Sequence, residues 1–337
     1  MPTFLTTSKM DPALAARIEA SVSGKKGPRR SVMRSRRIVL LLRLVVVLTV
    51  ATSVYVFVVG RRQHKLALER TRASLLESVR EQGASLVPED HTAVARVEAW
   101  LLRLAGAYEG DFVAAELGAP NALAATLARP MVYVRGTSEA FAGSPQVAAV
   151  SATSTKDALV LCLLEPPEAR NEKALLDKVR VVYSGGWNLE SRTANVRRLN
   201  DAIVGLPFLL PPWSERVQMA DDAAELARLR AELERAPIAR AKQAARSELL
   251  LVALDEPGGS DGPTELDGER PHPVRVALVD LVANKVLLRA RHVVDPSGIS
   301  PARRAIYAIG IDSCALALEV HEDVRSAGES GGASPRN

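Results

Sequence analysis

Cysteine is almost missing from this chain: Cys162 and Cys314 are its only two. Their spacing builds no metal site. Each sits in a strongly apolar segment, so they can pair in an oxidising compartment or remain buried as small hydrophobic thiols, and the sequence leaves both open. Histidine is scarce as well. His64, His91, His272, His292 and His321 are scattered without ligand spacing, which argues against zinc chemistry of the usual motifs.

Catalytic signatures are lacking too. Asp312-Ser313-Cys314 lies in a helical pattern and does not satisfy G-x-S-x-G, so it reads as the polar face of a helix and not as a nucleophile elbow. Gly185-Gly186-Trp187-Asn188 could cradle an anion on its backbone N–H groups, but no Lys-Ser/Thr follows, and a turn after a helix is the simpler reading. Asp280 interrupts one apolar strand and Asp295 closes the next, and the two could act as an acid/base pair. Arg289 and Arg291 on the neighbouring strand offer them plain cross-strand partners. No catalytic residue, cofactor or metal is therefore assigned.

The basic charge is confined to one end. The whole chain is net +5. Residues 1–37 carry nine Lys/Arg against Asp11 and Glu19, which is +7. With Arg43 counted apart at +1, residues 44–337 are left at −3. The main part of the chain thus has no electrostatic footprint for nucleic acid.

What the chain does have is a long apolar run, Ile38–Gly60, broken only by Arg43. At ~1.5 Å per residue it makes a helix of roughly 34 Å, enough to cross a hydrocarbon core of about 30 Å. Arg43 lies near the amino-terminal end, where its side chain can snorkel to the headgroups. Tyr55 and Phe57 lie toward the opposite interface. Seven cations flank the run closely on its amino-terminal side (Lys25, Lys26, Arg29, Arg30, Arg34, Arg36 and Arg37) and five on its carboxy-terminal side (Arg61, Arg62, Lys65, Arg70 and Arg72). By the positive-inside rule the tail is expected in the cytoplasm and the large domain outside. Val58–Arg62 has no small-residue cleavage site. Ser35-Arg36-Arg37 resembles a twin-arginine signal but precedes too long an apolar run. No Cys of a lipobox follows the span. The expectation is an uncleaved signal anchor in the cell membrane.

Seven segments are expected: a disordered basic tail (1–37), a transmembrane helix (38–60), a stalk helix (61–87), a first α/β part (88–190), a helical connector (191–247), a hairpin-plus-helix unit (248–325) and a disordered end (326–337). Leu68, Leu75, Val79 and Leu86 fall near heptad spacing, a candidate seam for weak homo-oligomers. Strands are predicted at 131–135, 147–151 and 158–164, and helices over 171–182 and 191–203. Leu206–Trp213 holds three prolines and is expected to be irregular. Leu209, Leu210 and Trp213 within it are a candidate anchor for a partner, or else core packing. Ser214 is expected to start one helix reaching Pro237. Strands at 248–254, 274–282 and 286–294, turning at Ala283-Asn284-Lys285, and a helix from Pro301 to Val324 complete the pattern. Leu159-Val160-Leu161 with Glu165-Pro166 echoes Leu250-Leu251-Val252 with Glu256-Pro257, hinting at two related halves.

The expected fold class is α+β: one transmembrane helix with a stalk, then an extracytoplasmic α+β region ending in a three-stranded antiparallel unit packed by a carboxy-terminal helix. The expected role is a non-catalytic binding or assembly module of the cell envelope, touching the bilayer and a protein or cell-wall partner. An anchored enzyme with dispersed residues and a cytoplasmic domain in reversed topology are the alternatives.

Overall fold

The computed structural model describes residues 32–141, 144–154, 158–184, 195–256 and 270–329, with backbone alone at 32–38, 139, 144–146, 153, 183 and 304–311. The tail before residue 32, the turn at Gly143, the glycine turn at 185–188, most of the acidic loop before His272 and the end after Glu329 lie outside the described residues. The chain divides into two units, Met1–Ala67 and Leu68–Asn337.

The described residues of the first unit, from residue 32 onward, are helical. Helix α1 (Val32–Gly83) is 52 residues long, and its most apolar window has a mean hydropathy of 2.3 with none of it buried. Among the described residues it is the one helix long and apolar enough to cross a membrane. Its polar side chains are accommodated locally. Thr49 and Thr52 donate to the carbonyls of Val45 and Leu48 at 2.8 and 2.7 Å, so their hydroxyls need no outside partner in an apolar medium.

In the second unit the chain runs through α2 (Ala93–Ala105), β1 (Phe112–Val113), α3 (Ala122–Leu127), β2 (Met131–Thr137), α4 (Ser144–Thr153), α5 (Leu159–Leu164) and α6 (Glu172–Ser184). It continues with β3 (Val196–Arg197), α7 (Leu199–Gly205), α8 (Pro211–Met219), α9 (Ala223–Arg235) and α10 (Ile238–Ala245). Strands β4 (Leu249–Asp255), β5 (His272–Asp280) and β6 (Lys285–Val294) and helix α11 (Pro301–Glu329) close it. The strands form one six-stranded mixed sheet in the order β1-β6-β5-β4-β2-β3. Antiparallel pairing joins β4 to β5, β5 to β6 and β6 to β1. Strand β2 runs parallel to both β4 and β3.

Alternation along the strands separates two cores. Met131, Tyr133, Leu249, Leu251, Val274 and Leu278 pack with α3, α5, α6 and α11. Val132, Val134, Leu250, Val252, Leu254 and Val279 pack with α2, α4 and α7. Helices on both faces explain why β4 reads as an unbroken apolar run. The three antiparallel strands at the carboxy-terminal end are thus part of a larger mixed sheet, not a separate unit.

Several local expectations change. Residues 147–151 belong to helix α4, where Ala148 and Ala149 favour helix and Pro145 sits harmlessly in the first turn. Residues 159–164 form α5 and not a strand, because a short run that is apolar on every side carries no period to distinguish the two. The echo with 250–257 is therefore a helix matched to a strand, and no duplication follows from it. Part of 191–203 is strand β3, before α7. Leu206–Leu209 is a 3-10 turn, and Pro211 and Pro212 open α8, a position where a missing N–H costs nothing. The long helix expected from Ser214 breaks at Asp222, whose side chain caps α9 by accepting from the Glu225 N–H at 2.7 Å. The hairpin turns at Asn284, which adopts φ 52°, a left-handed conformation asparagine tolerates.

Helix α11 ties distant parts together. Its end approaches the turn after β1 so closely that a Cβ on Gly118 would lie 2.8 Å from the Gly328 Cα. Its Cys314 is joined to Cys162 of α5 by a disulfide, with 5.0 Å between the Cα atoms, inside the usual range.

Candidate functional site

Of the membrane-flank cations, Lys25, Lys26, Arg29 and Arg30 lie outside the described residues, while Arg34, Arg36 and Arg37 fall in the backbone of α1. Arg61 and Arg62 are exposed on α1, and the Arg61 guanidinium stands 4.5 Å from the centre of the Phe57 ring.

The candidate partner anchor is packed, not displayed. Trp213 is 4% exposed, its ring 5.6 Å from that of Phe208, and Leu209 packs against the same cluster. Leu210 is half-buried. The cluster also covers Leu75 and Val79, with Leu68 and Leu76 against it, while Leu86 packs against α7 and α10 residues. The heptad positions that could face a second copy therefore face this chain's own α8, α9 and α10.

Asp280 and Asp295 do not meet. Asp280 accepts from Arg129 at 3.0 Å and from the backbone of Val282 and Ala283 at the hairpin. Asp295 follows the far end of β6 and caps the next turn through Ser297. Arg289 and Arg291 take other partners, described below.

Two polar constellations emerge instead, one on each face of the sheet. On the α11 face, Arg135 of β2 is 1% exposed. It donates to both oxygens of Asp255 at 3.1 and 2.9 Å, and to Ser313 Oγ at 2.7 Å. His272 Nε2 lies 3.4 Å from the same carboxylate, and its Nδ1 is 2.9 Å from the Arg270 carbonyl oxygen. Both ring nitrogens are thus engaged. The arrangement is a buried ion-pair network centred on the Asp255 carboxylate.

Its electrostatics have a consequence for stability. Burial raises the Asp255 pKa, but the Arg135 charge and the hydrogen bonds from His272 and Arg135 outweigh it, bringing it to about 2. Burial lowers the His272 pKa, yet its bonds to Asp255 and Arg270 and the charges of Asp312 and Asp255 raise it overall. His292, bonded to Asp323 of α11 at 2.8 Å, is raised likewise against the effect of its burial. The depressed carboxylate stabilises the fold above its unfolded pKa, and this is lost as pH falls toward 2. The raised histidines stabilise it below about 6.5, and this is lost as pH rises through their folded values. Maximal stability is expected between about pH 4 and 6.5. Thermal unfolding should show the melting temperature declining above that window, with His272→Gln and His292→Gln flattening the decline. A melting temperature that climbs through neutrality would contradict this.

On the opposite face, β5 and β6 bring three arginines together. Arg275 is paired in register with Arg291, and Ala277 with Arg289. Like charges side by side on a sheet repel, and acids relieve them. Glu256, with a side chain 8% exposed, bridges Arg275 and Arg291. Glu109 pairs with Arg289 and, at 3.7 Å, with Arg103. The Tyr108 ring centre lies 5.3 to 5.9 Å from the guanidiniums of Arg275, Arg289 and Arg291. Beside it lies a narrow crevice with ≈ 20 Å³ of interior space, lined by Leu104, Tyr108, Val252, Leu254, Arg275 and Arg289 among others. That is room for about one water molecule between the apolar floor and the arginines.

Neither constellation is visible in the sequence as a motif. Arg135 and Asp255 are 120 residues apart, and Arg135 and Ser313 are 178 apart. The available signal is a charge where a strand should be apolar, as at Arg135 and Arg275. Among the described residues no group of His, Cys, Asp and Glu could hold a metal ion. Compared with protein-family models, curated proteins and solved structures, the chain matches none.

Proposed function

We propose that the protein is a single-pass, membrane-anchored component of the cell envelope whose α+β domain works outside the cytoplasm as a binding or assembly module. The observation that carries this reading is the Cys162–Cys314 disulfide. Structural disulfides persist in oxidising compartments and are rare where cytosolic thiols keep cysteine reduced. The excess of cations before the apolar run of α1 agrees with that orientation. The engaged nitrogens of His272 count against a hydrolytic role for the buried network.

A topology reporter fused after Asn337 tests the orientation. Alkaline phosphatase, active only once exported, should be active there, and a reporter that works only in the cytoplasm should be silent. The opposite pattern would mean a cytoplasmic domain tethered in reverse and would overturn the proposal.

A further inference from the structure

We propose that Arg61, Arg62 and Lys65, where α1 leaves its apolar stretch, form a binding surface for the headgroups of anionic phospholipids. The proposal rests on the membrane-anchoring part of the reading above and holds in either topology.

The helix puts the three cations on one side. Helix α1 is unbroken from Val32 to Gly83, so Arg61, Lys65 and Arg62 fall within about 100° of arc and roughly 6 Å of rise. The apolar run ends at Gly60, which brings them to the height where a spanning helix meets headgroup phosphates. All three are exposed. Among the described residues no carboxylate pairs with them, and the contact described for the group is that of the Arg61 guanidinium, 4.5 Å from the Phe57 ring centre. A ring at the interface with a cation over its face holds that charge at headgroup level. Two cations further along α1 are committed within the protein: Arg72 donates to the Ala220 carbonyl at 2.7 Å, and Arg80 donates to Glu77.

The distribution of charge sets this cluster apart. Residues 44–337 are net −3, yet residues 61–65 alone carry +3, which leaves residues 66–337 at −6. The chain beyond the cluster thus has no net attraction to an anionic surface. The cluster also works against the orientation signal. Three of the five cations on the carboxy-terminal flank crowd into five residues, and cations on the exported side weaken that signal. An electrostatic gain at the membrane surface offsets this cost.

The same geometry selects the ligand. Three exposed side chains spread around one helix turn form no enclosed cradle, so a free phosphate ion gains little beyond a screened attraction. A bilayer surface offers many phosphates in one plane. Lipids whose headgroups are net negative add a surface potential that zwitterionic lipids lack. The ligand class is therefore a phospholipid of net negative charge, of which phosphatidylglycerol is the simplest probe.

Val58 provides a place for a local reporter. It lies ~60° around α1 from Arg61, on the side that carries the three cations, and is 47% exposed. The full-length Val58→Trp protein is reconstituted in phosphatidylcholine vesicles holding either brominated phosphatidylcholine or brominated phosphatidylglycerol at equal mole fraction. Quenching is read after subtracting the parent, whose tryptophans are Trp100, Trp187 and Trp213. Phosphatidylglycerol should be enriched around the reporter roughly fivefold, the scale of one cation near a charged surface. Adding Arg61→Gln, Arg62→Gln and Lys65→Gln should bring the ratio close to one, while Arg34→Gln, Arg36→Gln and Arg37→Gln should leave it unchanged. Equal quenching by the two lipids in the Val58→Trp protein would overturn the proposal. So would a preference that survives the first set of changes and is lost with the second, or one abolished by excess inorganic phosphate at constant ionic strength. Quenching by neither lipid would overturn it together with the anchoring reading, so the two failures are told apart.

Discussion

Arg135→Leu is expected to cost about 3–5 kcal/mol of stability, the range for removing one member of a buried ion pair. The size follows from what would be left behind. Asp255 is 1% exposed and would lose both of its Arg135 hydrogen bonds. His272 at 3.4 Å would be its remaining described partner, and the Ser313 hydroxyl would lose its Arg135 donor. Urea unfolding of the purified protein measures the loss. Replacing Arg135 and Asp255 together by leucine should recover most of it, since an apolar pair removes the stranded charge. A single substitution within about 0.5 kcal/mol of the parent would show that the network contributes no more than a surface pair.

The second large effect concerns Cys162 and Cys314. Their bond closes a loop of 152 residues, for which the chain-entropy relation gives about 5 kcal/mol of restraint on the unfolded state. Engineered and natural cases more often deliver about 2–5 kcal/mol, and a loss in that range is expected for Cys162→Ala combined with Cys314→Ala. Both sulfurs are fully buried, so a reductant should act only after partial unfolding, and maleimide should label neither cysteine in the native protein. Equal unfolding midpoints with and without the bond would refute this.

How far the sequence reveals this fold depends on the element. The β5–β6 hairpin was legible because Val286–Val294 and Val274–Val282 are bounded by an asparagine turn, and the turn residue does take a positive φ. The apolar stretch of α1 was legible from length alone. Helix α5 was not, since LVLCLL offers no polar position to set a period. The proline-rich run misled for a different reason: Pro211 and Pro212 exclude a helix interior but are welcome at a helix start. The candidate sites were least legible. Arg289 meets Glu109 across 180 positions, and no local pattern records a partner at that distance.

Helix α11 has a kinetic meaning beyond its packing. It meets Gly118 through Gly328, Arg135 through Ser313, Cys162 through Cys314 and β6 through the His292–Asp323 pair. Every one of these contacts joins residues far apart in sequence except the last, which spans only 31. Contacts of such separation slow folding, because the loops they close cost entropy before the contact repays it. Until α11 docks, the apolar face formed by Tyr133, Leu251 and Leu278 lacks one of its covers, and an uncovered face of that kind invites association with other chains. Refolding yield is therefore expected to fall as protein concentration rises, and a variant lacking α11 should aggregate at lower concentration than the parent.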